Sequence, residues 1–373
     1  MRGRAAGIAA ACCVVVSLWI ASSALAADPF YGMFTTDLNA PSAQLQPLLD
    51  AQATTGVGLL REHVYWDQIE RSPGVFDFTA LDALVGAAAQ RGMTVLPILT
   101  STPQFYSSRP VGLQNDGWPP VDPSHIFAFA YQLTHRYGVS GTFWGCVLPG
   151  LLCRRAYHPV TAWQVWNEPD LPAWWRTGVS PVAYLRLLQF AYLGLKLGDP
   201  ASEVVLGGLS LNALLPGGYL QQLYTLGAAP FFDTLAIHPY AANVATVIAH
   251  IQTTRQIAAA NNDANVPIRV SEYGFATGGA SPWTTNPACQ AALLSATTLA
   301  LSARRTELGL RSIVQLQWQD RAGSPSPWPN HAGLLFADGA PKPALAAFTN
   351  AVHGIPMAPG STVADVCEPE HQG

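Results

Sequence analysis

Eight times along this chain a short apolar run is followed by a longer amphipathic stretch. The runs fall at 31–34, 58–62, 94–99, 162–167, 203–209, 234–237, 268–271 and 312–317. The helical stretches between and after them cover 42–54, 79–91, 123–137, 181–197, 219–226, 244–261, 288–308 and 343–352. Strand and helix alternating in this way specify βα units and a parallel sheet. Eight such units predict a closed (β/α)8 TIM barrel, which needs about 250 residues plus insertions. A doubly wound open sheet is the alternative. It carries a Gly-rich phosphate turn after its first strand. Here that position reads Thr35-Thr36-Asp37-Leu38-Asn39, without glycine.

The barrel is expected to occupy 27–353 as a single catalytic domain, followed by a tail over 354–373. Residues 1–26 read as a signal peptide. Arg2 and Arg4 precede an apolar stretch from Ile8 to Ile20, and Ala24-Leu25-Ala26 supplies small residues for cleavage. An uncleaved anchor helix is the rival, but the run is short against the about 20 residues a span needs. Secretion, extracellular or periplasmic, and no stable membrane insertion after cleavage are therefore expected. Beyond the signal, Cys146, Cys153, Cys289 and Cys367 form an even set suited to an oxidising compartment. Three pairings exist, and Cys146–Cys153 with Cys289–Cys367 is favoured because the first pair shares one loop. A zinc site is the competing reading, against which the wide spacing counts. The Gly-rich loop 139–159 is expected as an insertion at the barrel mouth.

Charged residues make up 11% of the chain, against about 25% in ordinary globular proteins, and lysine occurs only at 196 and 342. No basic face is available for a phosphate backbone, so nucleic acid is excluded as a partner. No Gly-x-Ser-x-Gly elbow or P-loop appears, which weakens esterase and nucleotide readings.

Function is expected where the strands end, since that face of a barrel carries the chemistry. The fourth run continues through Trp163-Gln164-Val165-Trp166-Asn167-Glu168 and is stopped by Pro169 and Pro172. It sets a carboxylate beside an amide at a strand end, with Trp174 and Trp175 following. A bare Asn-Glu-Pro also fits a simple turn. Other strand ends bring further groups: Arg61 and Trp66 after the second, Trp118 after the third, His238 and Tyr240 after the sixth. Glu272 and Tyr273 follow the seventh, and Trp318, Trp328 and His331 the eighth. Arg61 could instead pair at the surface, and His238 could be a core histidine. His238 has no second His or carboxylate at ligand spacing in the sequence, which counts against a metal. Nearly all tryptophans of the barrel are thereby expected on one face. Indoles stack on sugar rings, and Asn, Glu, His and Tyr bond their hydroxyls.

Trp163–Trp175 with Asn167-Glu168-Pro169, together with Ser271-Glu272-Tyr273-Gly274, resembles the clan A glycoside hydrolases. Arg61…Trp66…Pro73-Gly74-Val75-Phe76-Asp77-Phe78 is most similar to family 39, β-xylosidase-like, with family 5 cellulase-like enzymes next. The resemblance implies Glu168 as acid/base and Glu272 as nucleophile of a retaining hydrolase acting on β-linked glycans. It further implies substrate-side roles for Arg61, Asn167, His238, Tyr240 and Trp318, to which the strand ends add Trp66, Trp174 and Tyr273 as expected substrate contacts. The expected partner is an oligo- or polysaccharide, and double displacement requires no cofactor or metal. The seventh-strand motif departs from family 39 xylosidases, leaving an endo-acting glycanase open. Other readings are a non-catalytic carbohydrate-binding barrel, a transglycosylase using the same two Glu, and a metal-dependent barrel hydrolase.

Overall fold

A computed structural model describes residues 28–35, 42–113, 117–281, 283–323 and 327–372. Residues 1–26, expected as a signal peptide, lie outside them. The barrel strands are β1 (Asp28–Phe34), β2 (Val57–Tyr65), β3 (Thr94–Thr100), β4 (Ala162–Val165), β5 (Glu203–Val205), β6 (Leu235–Ile237), β7 (Ile268–Tyr273) and β8 (Leu310–Gln315). All their pairings are parallel. β1 lies between β2 and β8, β3 and β4 extend one side to β5, and β7 extends the other to β6. The single bridges Val205↔Thr234 and Leu209↔Ile237 join β5 to β6, so the sheet curls back on itself.

The helices are α1 (Ser42–Ala53), α2 (Thr79–Gln90), α3 (Ile126–Tyr137), α4 (Pro181–Gly198), α5 (Tyr219–Thr225), α6 (Val244–Ala260), α7 (Pro287–Ala303) and α8 (Pro343–Val352). Their starts are written in the sequence. Ser180, Asn243 and Asn286 cap α4, α6 and α7 through side-chain oxygens, and proline opens α4, α7 and α8. Strand alternation divides the core into two layers. Leu96 and Ile98 of β3 turn into the barrel with Phe34, Leu59, Val205 and Val314. Val95 and Leu99 of the same strand turn outward into the larger layer beneath the helices.

Three expectations need correction. β2 runs to Tyr65, three residues beyond the expected end, and a one-turn helix at Trp66–Ile69 and a small hairpin of Glu70–Ser72 with Val75–Phe76 follow it. The 139–159 loop joins the end of α3 to the start of β4, so it lies at the bottom of the barrel. There His158 Nε2 is 2.9 Å from Thr94 Oγ1 at the start of β3. The tryptophans do not gather on one face: Trp66, Trp144, Trp163, Trp166 and Trp175 are core residues.

Both favoured cysteine pairs, Cys146–Cys153 and Cys289–Cys367, are bridged. Cys289 sits in the first turn of α7, at the mouth end, and the terminal segment packs there through the short helix Val363–Val366. No described helix is long and apolar enough to cross a membrane.

Candidate active site

Along β2, the inward positions carry Arg61, His63 and Tyr65. Arg61 is fully buried and its guanidinium is satisfied on every side. Nε donates to Gln164 Oε1 at 3.0 Å, Nη1 to Glu272 Oε1 at 2.6 Å, and Nη2 to Asn167 Oδ1 at 2.8 Å. One planar fork thus ties β2 to the ends of β4 and β7. Tyr240 Oη donates to the other Glu272 oxygen at 2.7 Å.

The chain leaving β4 is bent hard to present Glu168. Trp166 and Glu168 have φ of 72° and 40°, in the left-handed region that side chains avoid. Surrounding bonds hold this conformation. Gln164 Nε2 donates to the Trp166 carbonyl at 3.0 Å, Trp166 Nε1 to the Trp174 carbonyl at 2.7 Å, and the Glu168 N–H to Gly208 at 2.9 Å. Gly208 is also where His238 passes: a Cβ there would stand 2.2 Å from His238 Nε2, so only glycine fits.

His238 connects the two carboxylates. Its Nδ1 lies 2.8 Å from Glu168 Oε1 and 3.5 Å from Glu272 Oε2. Its Nε2 faces the Arg61 Nη2 donor at 3.5 Å. An acceptor is therefore wanted at Nε2, which assigns the imidazole proton to Nδ1.

The two carboxyls are driven apart electrostatically. Burial pushes Glu168 above its ordinary range, with the negative charges of Glu272 and Asp170 adding to it and the His238 hydrogen bond only partly opposing. Burial acts on Glu272 in the same direction. There His238, Arg61 and the Tyr240 hydroxyl outweigh it and hold the carboxyl below the usual range.

One oxygen of each Glu and a nitrogen of His238 lie within 4.8 Å of one another. The fold therefore assembles the His and carboxylates that the sequence spacing keeps apart, a set that could ligate a metal by type. The Arg61 cation already on Glu272 opposes a second cation at that carboxylate.

These groups open into a cavity of about 640 Å³, a size suited to a small ligand. Asn167, Glu168, Trp174, His238, Tyr240 and Glu272 line it, as the sequence leads one to expect, with Arg61 bonded beneath. Three expected contacts do not. Trp66 is buried between the barrel and α3, stacked on Phe129 at 5.3 Å with Nε1 bonded to Glu70. Tyr273 follows Glu272 on β7 and so points the other way, to Thr298 of α7 at 2.7 Å. Trp318 is 6% exposed and belongs to the outer core.

Several wall residues were not anticipated. His63 and Tyr65 stack with rings 5.6 Å apart, and the opposite face of His63 stacks on Trp174 at 5.5 Å and 7°. Burial, with Arg61 next, pushes the His63 pKa down to about 3, so this wall is uncharged. Trp283 lines the cavity as well, beside Trp328, which was expected at the end of the eighth strand and sits against Tyr240 at 4.6 Å. Strand periodicity marks His63 and Tyr65, two and four residues after Arg61, once β2 is given its full length. For Trp283 and the Ser210–Asn212 wall no pattern in the sequence points inward.

No protein-family model matches the sequence. No curated protein matches it either. Solved structures do. A family 39 glycoside hydrolase from the gut symbiont Bacteroides cellulosilyticus WH2 superposes with a TM-score of 0.66 at 20% identity, over 88% of this chain and 64% of that one. The family 39 enzyme from Xanthomonas axonopodis pv. citri gives 0.64 at 17%, over 88% and 67%. GH5_18 from Streptomyces cattleya, solved with GlcNAc, gives 0.64 at 17%, over 91% and 87%. The chain thus spans about two thirds of the two family 39 proteins. Its fold is the (β/α)8 barrel of these clan A glycoside hydrolases.

Proposed function

We propose that this chain is a secreted retaining glycoside hydrolase acting on a β-linked glycan, with Glu272 as nucleophile and Glu168 as acid/base. The observation that carries the reading is the carboxyl pair itself. Their nearer oxygens lie within 4.8 Å, and their surroundings shift them in opposite directions. Direct attack at an anomeric carbon uses carboxyls about 5–5.5 Å apart, whereas inversion needs about 6.5–9.5 Å to seat a water.

The ionised Glu272 attacks the anomeric carbon, aimed by Arg61 and Tyr240. Glu168, kept protonated by burial, gives its proton to the departing oxygen. A glycosyl ester on Glu272 results, and Glu168, now ionised, takes a proton from the water that cleaves it. His238 Nδ1–H, shared between the carboxyls, steadies whichever one bears charge. Trp174, Trp283 and Trp328 offer faces for sugar rings, and Asn167 a donor for a hydroxyl. A barrel that only bound sugar would have no use for two carboxyls of opposed affinity for protons.

Secretion is supported by the n-region and apolar run of residues 1–26 and by two bridged cysteine pairs. The test is hydrolysis of a panel of aryl glycosides and polysaccharides, with product configuration followed by NMR. Initial release of the inverted anomer, or no turnover on any member, would sink the proposal.

A further inference from the structure

Once Glu272 is matched by Arg61, the wall of the cavity keeps one charge without a counterpart among the described residues. Arg321 stands just beyond β8, beside Gln317 and Asn330. Its backbone N–H donates to the Asn330 carbonyl at 2.9 Å, which fixes the segment at the wall. It is one of the residues that line the cavity, on the chain that leaves β8. Among the described residues no carboxylate pairs with it and no acceptor takes its side-chain N–H groups.

The acid next to it in the sequence is already engaged. Asp320 is buried, with Lys342 Nζ at 2.8 Å and the Gly333 N–H at 2.8 Å. Arg321 itself is exposed and lines the cavity, so little desolvation opposes its use by a ligand. A guanidinium offered this way matches a planar carboxylate or a sulfate through paired N–H donors.

We infer that the glycan bound here carries an anionic group, a uronate carboxylate or a sulfate ester, which Arg321 receives on the β8 side of the cavity. The reaction at that glycan rests on the glycosidase reading above; the binding preference does not.

Binding separates the two. Glu168→Gln keeps the shape and charge of a protonated acid and binds without turnover. It is titrated calorimetrically with oligogalacturonides, glucuronate-substituted xylo-oligosaccharides and sulfated galactan oligosaccharides, each beside its neutral counterpart. At least one acidic member should bind about tenfold or more tightly than its neutral partner, as a charge-assisted bond allows. The preference should shrink with added NaCl. Adding Arg321→Gln should remove it, and Arg321→Lys should keep part, with circular dichroism verifying the fold of each variant. Preference within the uronate or the sulfate arm identifies the anion.

Equal binding of acidic and neutral members, binding of neither, or a preference that survives Arg321→Gln overturns the inference. Arg321-dependent binding without hydrolysis by the wild type upholds it and removes the glycosidase reading. Hydrolysis that is indifferent to charge does the reverse.

Discussion

Arg61 reaches Glu272 from inside the barrel, Nη1 to Oε1 at 2.6 Å, with the guanidinium fully buried and the carboxyl nearly so. The contact holds the Glu272 charge and fastens β2 to β7. Arg61→Gln should therefore act twice. Removing one member of a buried pair costs about 3–5 kcal/mol of stability. The Glu272 pKa should also rise, moving the acid limb of the kcat/KM profile to higher pH. Denaturant unfolding and a pH–rate series read the two effects; an unmoved acid limb would mean that Arg61 does not set the ionisation of Glu272.

The carboxyls should fail differently. Glu272→Gly should abolish turnover on every substrate, with azide restoring product of inverted configuration. Glu168→Ala should spare the first step for aryl glycosides with acidic leaving groups and block natural glycans. Azide should then yield a product of retained configuration. Equal loss on both substrate types without rescue would return Glu168 to a binding role.

Glu168 also links stability to pH. Its pKa is raised on folding, so its contribution is present below the unfolded value and is lost as pH rises through the folded one. Gln at this position mimics the protonated form. Glu168→Gln should match the wild type in acid and melt at higher temperature above neutral pH. A constant offset across pH would contradict this sign.

Trp66 and Trp174 look alike in sequence and should part in experiment. Trp66→Phe loses the indole bond to Glu70 and should lower stability by about 1–3 kcal/mol with KM unchanged. Trp174→Ala should raise KM about tenfold with little change in melting. An interchange of these effects would reverse their placement.

Breaking the Cys289–Cys367 bridge frees a segment closed over 78 residues. Cys367→Ser should cost about 2–4 kcal/mol. Comparative melting, with peptide mapping of the unreduced protein, measures both the loss and the pairing.

The eight βα units were legible because apolar runs, proline breaks and Ser or Asn caps are local signals. The facing residues were legible only where strand length was right. Stopping β2 at Glu62 hid His63 and Tyr65, although both share the parity of Arg61. The same parity turns Tyr273 away from Glu272's side. Tryptophan misled because one side chain serves both a dry core and a sugar face, and composition does not separate them. The 139–159 loop was misplaced for a topological reason: what precedes a barrel strand lies opposite the mouth. The carboxyl chemistry itself, which depends on Arg61 and His238 meeting two Glu from distant strands, exists only once the barrel closes.

The bridge between Cys146 and Cys153 gives that lower end a use of its own. It clamps a tip whose Val147, Leu148, Leu151 and Leu152 are 51–75% exposed, on the side away from the cavity. A stiff, outward point remote from the working face is where a tether does least harm. A cellulose bead or a second enzyme coupled near Leu148 would leave the mouth facing freely into solution. The barrel thus has a natural handle for immobilisation.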